Sequence, residues 1–152
     1  MNDKSKAPSF LALVDENKEL SLDNFQGSYL VIYFYPKDKT SDYKIESQDF
    51  RDYKNKFSKK NCKIVGVSRD SIKSHKSFIE KESLNFPLLS DPDETMCNAY
   101  GVMKEKSMYG RKYMGIERST FLISPDGSLI KEWRGVKVPG HVEEVYEFLS
   151  EL

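Results

Sequence analysis

Thiols are scarce in this chain. Only Cys62 and Cys97 occur, too few for a disulfide framework, and a reduced cytoplasmic setting is the expectation. Net charge is missing too. Lys+Arg and Asp+Glu both number 24, so no overall field draws the chain to nucleic acid or to an acidic membrane surface. The lysines of 54–63 and 104–112 belong to a chain of zero net charge in which acids are spread throughout, which makes them solvated faces and not a nucleic-acid surface. Long apolar runs are absent. The longest ends at Tyr35 and falls far short of the roughly 20 residues that cross a bilayer. The opening Met1-Asn2-Asp3-Lys4-Ser5-Lys6 is polar and lacks the apolar core of a secretory signal.

What is present is enough for a real core. With 152 residues and 12% aromatic content, one domain over 1–152 is expected. Phe10–Val14 and Glu19–Leu22 flank a polar turn and predict an opening hairpin. Tyr29–Tyr35 is apolar throughout, as a strand covered on both faces would be. Phe50, Tyr53 and Phe57 mark one face of a helix from about Asp42 to Phe57, and Lys63–Ser68 is the next strand. That is a βαβ unit, with the right-handed crossover such units take. A helix over Ser71–Ser83 follows, with Ile72, Phe78 and Ile79 inward. Next come a short extended Phe86–Leu89 and a helix carrying Met96, Cys97, Ala99 and Tyr100, capped by Asp91 or Asp93. After a loop containing lysines and tyrosines, Ser119–Ile123 and Leu129–Trp133 are predicted to pair across Pro125-Asp126-Gly127. Val142–Leu149 closes the chain as an amphipathic helix. The expected fold is an α/β sandwich around a central mixed sheet.

The most informative stretch is Pro36-Lys37-Asp38-Lys39-Thr40-Ser41-Asp42-Tyr43, set between the apolar strand and the first long helix. Around it, in order, stand Tyr33-Phe34-Tyr35-Pro36-Lys37-Asp38, Asp49-Phe50-Arg51-Asp52, Gly66–Ser71, Leu89-Ser90-Asp91-Pro92, Tyr109–Ile123 and Pro125-Asp126-Gly127. This ordered set resembles a peroxiredoxin of the bacterioferritin-comigratory, or Q, subfamily. The resemblance implies a thioredoxin-like fold, a central mixed sheet flanked by helices, and no cofactor or metal. It implies reduction of hydrogen peroxide and organic hydroperoxides with electrons from a thioredoxin-like reductant, in a monomer or weak dimer.

By that resemblance Pro36 and Thr40 match the catalytic-loop proline and threonine, Arg118 the strand arginine facing them, and Glu46 the acid one helical turn on. Tyr43 falls where the peroxidatic cysteine belongs. Ser41 and Asp42 replace a usual Pro-Gly, and Lys44 a usual threonine. Gln48 stands where one subset keeps its resolving cysteine; Cys97 fits the place another subset uses. The chain thus keeps a candidate resolving thiol without the thiol it would resolve.

A phenol does not do a thiolate's work. With a pKa of about 10 it is ionised to roughly one part in a thousand at neutral pH. Its hard oxygen attacks peroxide poorly and leaves no reducible sulfenate. Asp42 adds negative charge beside a site that favours an anion. The chain is therefore expected to be catalytically disabled. A non-catalytic binding or regulatory pseudoenzyme, and an engineered variant of an active peroxidase, stand as alternatives. Arg118 without a thiolate is expected either to line the pocket or to pair with Glu46 or Asp42. Thr40 reads equally as a cap. Cys97 reads as a working thiol or a packed small residue, and Cys62 as packing; a Cys62–Cys97 disulfide stays open on spacing alone. His75, among Lys73, Ser74 and Lys76, reads as part of a polar helix face, and neither it nor His141 has acids or thiols at metal-ligand spacing.

Overall fold

A strand that is apolar at every position must be covered on both sides, and Tyr29–Phe34 (β3) is buried at all but its first residue. The computed structural model describes residues 6–38 and 41–152, with side chains at all of these but 41–43. Leu11–Asp15 (β1) and Lys18–Ser21 (β2) form the opening hairpin, and a single 3-10 turn, Leu22–Phe25, leads into β3. Ser41–Lys59 is the long helix α1, followed by Cys62–Ser68 (β4), Ile72–Glu82 (α2), Leu88–Ser90 (β5) and the short Thr95–Ala99 (α3). Met103–Met108 (β6), Arg111–Ile116 (β7), Ser119–Ile123 (β8), Leu129–Arg134 (β9) and His141–Ser150 (α4) complete the order.

Seven strands make one mixed sheet in the order β2-β1-β5-β4-β3-β8-β9. Its centre, β5-β4-β3, is parallel; β8 and β9 join antiparallel on one side and β1 and β2 on the other. Successive β3 side chains go to opposite faces. Leu30, Ile32 and Phe34 pack with Val65, Val67, Phe121 and the α3 residues Met96 and Cys97. Val31 and Tyr33, with Tyr35 just beyond the strand, pack with Phe50 and Phe57 of α1, Phe78 of α2 and Val145 and Leu149 of α4. The sheet therefore divides two cores, with α1, α2 and α4 on one face and α3 with Ala7, Phe10 and Phe25 on the other.

Two expectations need correction. The stretch expected as a loop after α3 is a two-stranded sheet, β6 with β7. Tyr109 and Gly110 both have positive φ, 52° and 78°, the geometry of a tight two-residue hairpin turn. Its strands are largely polar and exposed, so no apolar alternation announces them. The second concerns His75. It is 1% exposed, on the inner side of α2 instead of a polar outer face. Among the described residues no helix is long and apolar enough to cross a membrane.

The tightest joint in the sheet is Gly66, which pairs with Tyr33 across β3 and β4. A Cβ added there would come within 2.7 Å of Leu88 Cδ2 and 2.8 Å of Tyr33 Cζ. The Tyr33 ring occupies that space, stacks on Phe50 at 4.5 Å and reaches Ser47 Oγ with its hydroxyl at 2.8 Å. Gly66→Ala is expected to lower stability by about 1–3 kcal/mol, the usual cost of overpacking a core. Urea unfolding checks this; an unchanged midpoint would show that the ring can give way.

Candidate active site

Parallel strands β3 and β4 end at the same edge of the sheet, and the loop leaving β3 carries Pro36, Lys37 and Asp38 to it. Asp38 is 5% exposed and fully engaged. Its Oδ1 accepts from Tyr35 Oη at 2.7 Å, and its Oδ2 from Ser74 Oγ at 2.8 Å and lies 2.9 Å from His75 Nδ1. The other ring nitrogen of His75 donates to the Leu89 carbonyl at 3.0 Å. Asp38 N–H donates to Asp70 Oδ2 at 2.7 Å, and the same oxygen accepts from Ser68 Oγ at 2.7 Å. Burial alone would raise the Asp38 carboxyl, but the His75 hydrogen bond and charge, with the hydroxyls of Tyr35 and Ser74, hold it below its ordinary value.

Asp38, Asp70 and His75 bring three possible ligand atoms within 4.8 Å of one another. Spacing in the sequence hides this, because the partners come from the β3 loop, the β4–α2 link and α2. Their lone pairs and protons already serve one another, so the cluster works as a brace for the loop. His75 is the residue sequence reasoning missed. Its spacing of three and four from Phe78 and Ile79 was the available sign that it faces inward.

Across the same edge, Glu46 lies one turn beyond position 43 on α1 and is 0% exposed. Neither carboxyl oxygen has a hydrogen-bond partner. Arg118 Nε is 3.8 Å from Oε1, so the pairing expected with Glu46 is present, while the one expected with Asp42 involves a side chain outside the described residues. Arg118 sits in the link just before β8, not within a strand. Burial is the main reason the Glu46 carboxyl is pushed up to about 8; Arg118 opposes this and Asp49 adds to it. Beside the pair opens a pocket of about 530 Å³ lined by Pro36, Ile45, Lys106, Arg118 and residues 136–139. Pro36, Glu46 and Arg118 thus lie at one edge of the sheet. The backbone of Tyr43 belongs to the first turn of α1, while its side chain, that of Asp42 and all of Thr40 lie outside the described residues.

The thiols are elsewhere. Cys97 is 0% exposed in the core opposite the face that α1 covers, and Cys62 is buried on the α1 face. Both are free, so the disulfide left open by spacing is not formed. Burial pushes the Cys62 thiol up to about 12. Cys97 rises further, through burial and then through the Asp91 carboxylate, whose oxygens accept from the Met96 and Cys97 N–H groups at 3.1 and 2.8 Å. The N-cap position of α3 is Glu94 and not the expected Asp91 or Asp93, but Asp91 still accepts from two first-turn N–H groups and Asp93 from Thr95 N–H at 3.2 Å.

Three polar side chains along one stripe of α1 also reach the end of α2. Gln48 Nε2 donates to Glu82 Oε1 at 2.8 Å, Lys44 Nζ lies 3.7 Å from Glu82 Oε2, and Arg51 Nη1 donates to the Glu82 carbonyl at 2.7 Å. Lys44 and Gln48 are two of the positions that depart from the pattern the sequence resembles.

Comparison with known proteins gives one consistent result. The AhpC/TSA family model matches residues 4–132. A putative peroxiredoxin bcp of Coxiella burnetii is 49% identical over 140 residues, covering 92% of this chain and 93% of its own. The peroxiredoxin Bcp of Xanthomonas campestris is 54% identical over 124 residues, 82% and 78% of the two chains. Among solved structures, the bacterioferritin comigratory protein of X. campestris, described for alkyl peroxide reduction, aligns with a TM-score of 0.86 at 47% identity over 95% and 90% of the chains. A variant of PrxQ from Xylella fastidiosa gives 0.91 at 41% identity over 99% and 96%. The thioredoxin-like arrangement expected from the sequence is the one these structures share.

Two outcomes follow from the buried charges. A carboxyl raised on folding makes the folded state hold a proton the unfolded chain gives up, so stability falls as pH climbs from the unfolded value toward the folded one. Glu46→Gln is therefore expected to gain on the parent by the order of 3 kcal/mol between pH 4 and pH 7, read from urea unfolding at each pH. A constant difference across that range would show Glu46 ionised at neutrality. His75→Ala strips Asp38 of its ring partner and is expected to cost about 3 kcal/mol. A loss under 1 kcal/mol in the same measurement would mean that water replaces the ring.

Proposed function

The chain belongs to the AhpC/TSA family, within its peroxiredoxin Bcp group, and on that premise we propose that it is a peroxiredoxin Q-type protein whose peroxidase chemistry is switched off at position 43. The family reaction is reduction of hydrogen peroxide and organic hydroperoxides by a cysteine thiolate, which a thioredoxin-like protein then restores. Attack on the peroxide's terminal oxygen needs a sulfur that is ionised, exposed and oxidisable. The observation that carries the proposal is a tyrosine at position 43, where the resemblance of the flanking sequence to the family puts that sulfur.

The state of the two cysteines supports the same reading. Cys97 is the candidate resolving residue, yet its burial behind the sheet and its raised pKa keep it from acting as a nucleophile. It is better understood as part of the α3 core. Pro36, Thr40, Glu46 and Arg118 are the rest of the catalytic pattern, and they serve as the scaffold of a site whose reacting atom is missing. We take the protein to work in the cytoplasm, without cofactor or metal, as a monomer or weak dimer. A binding or regulatory role is the reading favoured by the open pocket beside Arg118, which persists without any thiol.

The test is a coupled assay with thioredoxin, thioredoxin reductase and NADPH. No peroxide consumption above the protein-free rate is expected, and no added oxygen on Cys97 by mass spectrometry. Brisk, reductant-dependent turnover by the unaltered chain would overturn the proposal. The variant carrying Ser41→Pro, Asp42→Gly and Tyr43→Cys together is expected to gain turnover at least a hundredfold above the parent background, on the scale of a restored nucleophile. An inert but folded triple variant would mean that the remaining site positions no longer suit the reaction.

A further inference from the structure

The pocket beside Arg118 has a chemical bias that peroxide reduction leaves unused. Among the described residues its lining contains three cations, Lys106, Arg118 and Lys137, and no acid, while Pro36, Ile45 and Val138 supply apolar wall. Lys106 Nζ donates to the Ile116 carbonyl at 2.7 Å, which fixes that charge at the wall. Ile45 is 46% exposed, a large apolar side chain with no cover on that side. Against the same guanidinium lies Glu46, fully buried and with both oxygens lacking hydrogen bonds. Positive charge beside apolar surface selects a small monoanion with a hydrocarbon body. We infer that this pocket binds a medium-chain carboxylate and that Glu46 takes up a proton as the anion settles near Arg118. The inference deepens the binding role proposed above and rests on that reading for its biological sense.

The coupling is electrostatic. Arg118 is the charge that favours ionised Glu46. A second anion near that guanidinium puts like charge opposite the carboxylate and favours its protonated form. Other groups act on the pair from each neighbouring element. Asp49 on α1 presses in the same direction as the ligand. Tyr33 on β3 also feels Glu46, but burial raises its phenol well above the ordinary value, so it stays neutral. Lys106 on β6 and His141 on α4 both feel the charge of Arg118. Burial holds the Lys106 ammonium below its ordinary value, so Lys106 also loses charge as pH rises. A falling affinity in alkali is therefore shared between Lys106 and Glu46, and a variant must separate them.

Glu46 titrates near about 8, so at pH 9 only about a tenth of the molecules carry its proton. If the anion binds that form, apparent affinity at pH 9 drops about tenfold through Glu46 alone. The experiment is isothermal titration calorimetry of the full chain with octanoate at pH 8, in two buffers of different ionisation enthalpy. Saturable binding with uptake of about half a proton is expected, and 1-octanol is expected not to bind. Glu46→Gln is expected to keep octanoate binding, to abolish the uptake, and to bind about tenfold more tightly than the parent at pH 9. Absent octanoate binding, equal binding of octanol, or uptake that survives Glu46→Gln would each overturn the inference. Should that variant fail to fold, the buffer comparison on the unaltered chain decides, since zero uptake there overturns the inference as well. Peroxide turnover together with proton-linked octanoate binding would sink the disabled-enzyme reading and keep this one; catalytic silence without octanoate binding would do the reverse.

Discussion

Everything at the candidate site depends on β3 being buried on both faces. Its alternate side chains commit Leu30, Ile32 and Phe34 to one core and Val31 and Tyr33 to the other. A register slip of one residue would exchange those sets and break both. Gly66 adds a second restraint, because the Tyr33 ring fits only where its partner strand has no side chain. With β3 so fixed, the loop of Pro36 and Asp38 leaves the sheet at one defined height beside Arg118. The precision of the site is inherited from a strand that takes no part in its chemistry.

Two buried carboxyls at that edge illustrate how surroundings set charge. Asp38 and Glu46 are both nearly inaccessible to water. Asp38 collects donors from Tyr35, Ser74 and His75, and these outweigh its loss of hydration. Glu46 collects no hydrogen bond, and one guanidinium at 3.8 Å does not make up the difference. One group is a finished structural joint; the other is left responsive to whatever approaches Arg118. Of the two, that second group is the one still able to change state.

The sequence made local features legible. The unbroken apolar run gave β3, the spacing of Phe50, Tyr53 and Phe57 gave the buried face of α1, and Pro125-Asp126-Gly127 gave the β8–β9 turn. Its ordered words also brought Pro36, Glu46 and Arg118 to one place. What escaped had partners far along the chain or lacked a usual signal. His75 meets Asp38 across 37 positions, so neither residue's neighbours advertise the contact. The β6–β7 hairpin turns on a tyrosine at positive φ and has strands with little apolar alternation. The isolation of Glu46 is a property of packing, and no spacing rule contains it. Thr40 and the side chain of Tyr43 lie outside the described residues, so their part in the site rests on the sequence pattern alone.

The bonds from α1 to Glu82 have one more consequence when set beside those of Asp38. The chain on either side of residues 39–43 is moored to the same helix: Asp38 to Ser74 and His75 near the start of α2, Lys44 and Gln48 to Glu82 at its end. Two moorings on one rigid rod make α2 a spacer that sets the distance between Asp38 and the start of α1.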